Sequence, residues 1–124
     1  MLTTGVDLIE IARVERVLSR HKERFLKRVF TPKEIAYCRG RASEFAARFA
    51  AKEAVSKALG VGMRVLAPDG IYWKDVEVIG DRRGKPLIRL SGRAAERSDE
   101  LGLTEWAVSL SHDREHAIAL VVAQ

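Results

Sequence analysis

Between Ala47 and Gly60 the chain reads ARFAAKEAVSKALG, and no other stretch restricts the fold as much. Alanines set among phenylalanine, valine and leucine make a helix that another element, or another subunit, can approach closely. Such a helix belongs at the centre of a small molecule rather than on its surface. Yet it carries Arg48, Lys52, Glu53 and Lys57. Charges are costly to desolvate unless they are paired or bound. These four therefore either sit at a rim or hold a ligand.

The flanking sequence sets the helix in context. Ser43 is the expected cap of a helix over 44–59, closed by Gly60. Ahead of it, Thr31-Pro32-Lys33-Glu34 combines a capping threonine, a proline at the first helical position and a glutamate three residues on, which predicts a short helix ending at Gly40. Ile11, Val14, Val17 and Leu18 recur at helical spacing over 10–20, and the basic run HKERFLKRVF continues from there. TTGVDL (3–8) reads as a first strand. After Gly60, residues 61–70 form a connection with Pro68 and a turn at Asp69-Gly70. IYWKDVEVI (71–79) and PLIRL (86–90) read as strands joined at GDRRG, residues 92–101 as a helix stopped by Gly102, and WAVSLS and HAIALVVA as two final strands around a hairpin loop, HDRE. The order implies an α+β fold, a small antiparallel sheet packed against a long central helix, in a single domain spanning 1–124.

Composition bounds the function classes. At 124 residues the chain is long enough for one modest core. Its single cysteine, Cys38, excludes an internal disulfide and argues against a thiolate metal site. No stretch approaches the roughly 18 uninterrupted apolar residues of a membrane span, and the N-terminus has acids within its apolar run and no basic region before it, unlike a signal peptide. A cytoplasmic setting is expected. The formal charge of +5 favours an acidic partner without naming it. There is no HExxH, Walker A loop or GxSxG.

Two carboxylates stand out. Asp7 interrupts a strand, where aspartate is disfavoured; it is either a solvent-facing edge residue or a metal ligand. Glu53 precedes Lys57 by four positions, the favourable order for an ion pair along a helix. Arg48 and Lys52 lie one turn apart on the other shoulder, so the helix could clamp a phosphate-bearing ligand. Were Asp7 and Glu53 to meet, two carboxylates and phosphate oxygens would suit Mg²⁺, which keeps several waters. His112 lies where strand becomes loop, a common place for ligand contacts. His21 and His116 read as surface or structural residues. The arginines at 13, 16, 20, 24 and 28 leave a nucleic-acid-binding module open, although no recognition motif accompanies them.

RFAAKEAVSKALG (48–60) resembles the signature of the phosphopantetheinyl transferases, with Phe49, Lys52-Glu53-Ala54 and Lys57 as its core. GVDLIEIARVE (5–15) resembles that family's other motif through Gly5, Asp7 and Arg13, and VSLSHDREHAIALVV (108–122) its C-terminal segment through Ser111-His112. FTPKEIAYC and the turn GKPLI are similar too, and the whole is the size of the short, holo-[acyl-carrier-protein] synthase type. The resemblance implies the 4′-phosphopantetheinyl transferase fold and transfer of the phosphopantetheine arm of coenzyme A to a serine of apo acyl carrier protein in the cytoplasm, for fatty acid biosynthesis. It implies Asp7 and Glu53 as Mg²⁺ ligands, and catalysis by Asp7, Glu53 and Lys57. Arg48, Lys57 and His112 would bind coenzyme A. Arg13, with Arg16 and Arg20, would meet the acidic carrier, and Glu53 would take the serine proton directly or through water. It further implies a homotrimer with sites at subunit interfaces, and no nucleic acid or membrane partner. The competing readings are a basic nucleic-acid binder, which needs neither Asp7 nor Glu53, and an inactive structural homologue.

Overall fold

One glycine organises the computed structural model, which describes residues 1–65 and 67–124. A Cβ at Gly5 would stand 1.9 Å from the carbonyl oxygen of Ala54. Only a residue without a side chain lets the first strand, β1 (Thr3–Glu10), lie directly on the long helix, α3 (Ala42–Leu59). Thr3 fastens the same crossing by donating its hydroxyl to the carbonyl of Ala58 at 2.8 Å. The small side chains Ala50, Ala51 and Ala54 are wholly buried along α3, as are Phe45 and Val55. The helix is the centre of the molecule, as its composition predicts.

Two helices precede it. α1 (Ile11–Val29) is kinked at His21, where φ is −140° and ψ 38°. α2 (Pro32–Cys38) opens with the expected capping box: the Thr31 hydroxyl accepts the Glu34 amide, and the Glu34 carboxylate accepts the Thr31 amide at 3.0 Å. Ser43 does not cap α3. Arg39 and Gly40, both in the left-handed region, turn the chain so tightly that α3 already begins at Ala42. The Arg41 side chain instead bonds back to the carbonyls of Cys38 and Tyr37, each at 2.8 Å, and so caps the preceding helix. Gly60 ends α3 with φ at 72°, as anticipated.

The 71–79 run divides into one turn of 3-10 helix (Trp73–Asp75) and β2 (Val76–Gly80), because the Asp75 carboxylate accepts the Tyr72 amide and closes a turn there. β2 pairs antiparallel with β3 (Pro86–Leu90). A helix, α4 (Gly92–Glu100), leads to β4 (Trp106–His112) and β5 (His116–Ala123). β5 lies between β1 and β4, antiparallel to both, so the position of the first strand, open in the sequence, is at an edge. Where one sheet was expected, the described residues form two, a three-stranded and a two-stranded one, and among them the β2–β3 hairpin exchanges its ladder bonds internally. The connection expected over 61–70 is seen apart from Leu66, which lies outside the described residues; Met63 bridges Ile71 across it.

Alternation along the strands sorts the three-stranded sheet into two faces. Ala117, Ala119, Val121 and Val108 pack inward as part of the core around α3. Val6, Leu8, Ile118 and Leu120 point outward and are 38 to 60% exposed.

Candidate active site

Asp7 follows Gly5 by two residues and so points to the same side of β1, toward α3. The close crossing brings it against the helix one turn from Glu53. Lys57 donates to Asp7 Oδ1 at 3.0 Å and to the carbonyl of Val6 at 2.9 Å. The ion pair expected between Glu53 and Lys57 is therefore not the contact Lys57 makes; β1 offers it a carboxylate and a carbonyl together, a better pair of acceptors than one neighbour on its own helix. Asp7 and Glu53 line one cleft of about 420 Å³ with Arg13, Phe25, Phe49 and Trp73. That volume is within the range of small-molecule sites.

Burial, and next the charge of Asp7, push the Glu53 carboxyl above its usual pKa, with Lys57 opposing. Two carboxylates facing one cleft are the donor set a divalent cation relieves. Among the described residues no group of three or more His, Cys, Asp or Glu could hold a metal. Two carboxylates nevertheless fit Mg²⁺, which is commonly bound through one or two carboxylates with substrate phosphates and waters completing its shell.

Further toward the N-terminus of α3, Arg48 is 5% exposed, donates to Glu44 Oε2 at 2.8 Å and lies 4.2 Å over the Tyr37 ring. Its Nε is buried and has no acceptor among the described residues. The His112 Nε2 atom stands 4.0 Å from the other oxygen of Glu44. Arg48 and His112, far apart in the chain, thus flank one carboxylate. On α1, Arg13 borders the main cleft, and Arg13, Arg16 and Arg20 with Val17 and His21 line a smaller hollow of about 240 Å³.

Lys52 departs from expectation. It is no shoulder cation open to phosphate; it is wholly buried and pairs with Glu34 Oε1 at 2.8 Å. Burial lowers its pKa, and Glu34 opposes that shift. The residues missed in the sequence are the partners: Glu34, legible only as a helix cap; Glu44; and Trp73, which read as a strand residue and instead stacks on Phe49 at 4.7 Å to wall the cleft.

A cleft bearing two carboxylates beside a central alanine-rich helix defines a class, and the match of residues 3–121 to the family model agrees: the chain belongs to the 4′-phosphopantetheinyl transferase superfamily. Within it, the chain is similar to the holo-[acyl-carrier-protein] synthases. It is 51% identical over 124 residues to the one from Herpetosiphon aurantiacus, covering 98% of each chain. The crystal structure of the Helicobacter pylori holo-[acyl-carrier-protein] synthase in complex with coenzyme A superposes with a TM-score of 0.86 at 37% identity, over 98% of this chain and 99% of that one. The synthase from Neisseria meningitidis gives 0.85 at 28% identity, over 98% and 97%.

Proposed function

We propose that this chain, as a single domain over residues 1–124, transfers the phosphopantetheine arm of coenzyme A to a serine hydroxyl of apo acyl carrier protein. The observation that carries this reading is the convergence of Asp7 and Glu53 at one cleft, with Lys57 paired to Asp7, on elements that only Gly5 allows to touch. The family and the solved complex with coenzyme A support it.

The serine oxygen attacks the phosphorus of the pyrophosphate that bears the pantetheine. A new P–O bond forms, the bond to the bridging oxygen breaks, and adenosine 3′,5′-bisphosphate leaves with the electron pair. Asp7 and Glu53 would hold Mg²⁺, which when bound supplies charge neutralisation of the pyrophosphate. Lys57, half-exposed and anchored on Asp7, directs a second positive charge to where negative charge accumulates. Glu53 accepts the serine proton, directly or through a water. Arg48 and His112, on either side of Glu44, hold the phosphate and adenosine end of coenzyme A. The chain carries no nucleophile of its own, since the acceptor hydroxyl belongs to the carrier; what remains for it is alignment and electrostatics.

Arg13, Arg16 and Arg20 lie together beside the cleft mouth and would receive an acidic carrier. The outward apolar face of Val6, Leu8, Ile118 and Leu120 suits burial against copies of itself, which supports a homotrimer. A cytoplasmic location belongs to this reading, and among the described residues no helix is long and apolar enough to cross a membrane.

The test is the intact mass of apo acyl carrier protein after incubation with the protein, coenzyme A and Mg²⁺. A gain of one phosphopantetheine group, abolished by EDTA, is expected. No gain across several carriers, together with no binding of coenzyme A, would overturn the assignment.

A further inference from the structure

The proposed chemistry leaves Lys52 without a task, although it adjoins Glu53 and is the most buried cation of the molecule. Successive residues on a helix project about 100° apart. Glu53 faces the cleft, and Lys52 faces the segment that forms the cleft's far wall. Its ammonium donates to Glu34 Oε1 at 2.8 Å, to the carbonyl of Trp73 at 3.1 Å and to the carbonyl of Val76. All three of its protons are used. Glu34 in turn accepts the Thr31 amide on Oε1 at 3.0 Å and the Val78 amide on Oε2 at 3.0 Å. One ion pair thus joins the start of α2, the middle of α3 and both ends of the 3-10 turn that carries Trp73. The indole projects from that turn, stacks on Phe49 with the rings inclined by 27°, and lines the cleft with Asp7 and Glu53.

Stability does not account for this construction. A buried ion pair is often matched or bettered by apolar residues of similar volume, because desolvation offsets the attraction. What an apolar pair cannot do is bind four backbone groups at fixed distances.

We propose that Lys52, with Glu34, is a positioning residue for the transfer reaction: it pins the Trp73 carbonyl so that the indole keeps the cleft at the width at which the reacting groups align between Trp73 and Glu53. The inference rests on the proposed transfer, but the link from Lys52 to Trp73 is measurable without it. The chain has two tryptophans, so in a Trp106→Phe background fluorescence reports Trp73 alone.

In that background Lys52→Met and the double variant Glu34→Gln/Lys52→Met are compared with the parent. Circular dichroism and oligomeric state are expected to hold, while Trp73 emission moves to the red and acrylamide reaches it more readily. kcat should fall about 10- to 100-fold, the scale of a misplacement of order 1 Å, with the KM for coenzyme A changed less than about threefold. Unchanged Trp73 emission and quenching would overturn the link. A displaced Trp73 with full kcat would overturn its role in alignment. Should the lysine variants fail to fold, Trp73→Phe and Trp73→Ala decide: phenylalanine keeps the stack and should retain kcat, alanine should lose it, and an active Trp73→Ala protein refutes the proposal. Failure of the transfer reading is distinct, since the Trp106→Phe parent would then modify no carrier whatever Trp73 does.

Discussion

Replacing Gly5 by alanine adds one methyl group at the point where β1 crosses α3. On the backbone alone the change favours folding: Gly5 is not among the glycines with positive φ, and alanine at a compatible site gains roughly 0.4–1 kcal/mol from a less disordered unfolded chain. The contact decides otherwise. The new Cβ would lie 1.9 Å from the Ala54 carbonyl oxygen and 3.0 Å from the Ala58 nitrogen, against the 3.4 Å at which ordinary contact begins. β1 must retreat by about 1.5 Å, the difference between those values. Overpacking of this kind costs about 1–3 kcal/mol or more, which exceeds the entropic gain. The retreat also draws Asp7 from Lys57 and from the cleft it shares with Glu53, and displacements of order 1 Å cost about 100-fold in rate. Urea denaturation and the mass-shift assay read the two consequences separately. Because the obstacle is backbone, Ala54→Gly should not rescue Gly5→Ala. A Gly5→Ala protein with native midpoint and turnover would refute the claim that this crossing assembles the site, and rescue by Ala54→Gly would refute its backbone origin.

Asp7→Asn and Glu53→Gln should each lower turnover by about 100-fold or more while circular dichroism stays native, as expected for groups that hold transition-state charge; retained turnover in Mg²⁺ removes the two-carboxylate site. Arg13→Glu should raise the KM for the carrier and weaken its salt dependence with little effect on coenzyme A binding, checked by titrating each substrate at two ionic strengths. Leu120→Asp places a charge on the outward apolar face and should reduce the proposed trimer to monomers in sedimentation; a wild-type monomer would remove the trimer, and an intact trimer in the variant would relocate its interface. Burial pushes the Cys38 thiol from 9.0 up to about 12. The folded thiol stays protonated where the unfolded one ionises, so this contribution is fully present below pH 9 and is lost as pH rises toward 12. Between pH 8 and 10 the wild type should lose about 1.4 kcal/mol more than Cys38→Ala in urea denaturation, and equal losses would place Cys38 in contact with water.

The elements of the fold were legible where a local rule applied. The capping box at Thr31 and Glu34, the left-handed Gly60 and the strands over 86–90 and 116–123 all lie close to where short-range chemistry puts them. Misplacements came where a distant group competed with the local preference. Ser43 has a suitable side chain for a cap, but the turn at Arg39-Gly40 starts α3 ahead of it. Lys57 stands at the proper spacing from Glu53, but β1 presents Asp7 to it. Lys52 and Arg48 look alike on a helical projection. The Glu34 side chain and the β2 backbone bury the first, while the second keeps an unpartnered Nε.

By itself the sequence determined which residues are candidates for the site and the kind of chemistry they can support. Asp7, Glu53, Lys57 and Arg48 stand out by residue type on the strand and helix that carry them, and His112 by the resemblance of its segment to a family motif, because those patterns depend on neighbours a few positions away. Tertiary structure alone decided which charges face the cleft and which hold the frame. That sorting depends on contacts across about 50 residues, as between Asp7 and Lys57, and between Gly5 and the Ala54 carbonyl. A cation's role follows from the dielectric around it and the acceptors within reach, and neither exists until β1, α2 and the Trp73 turn have closed around α3.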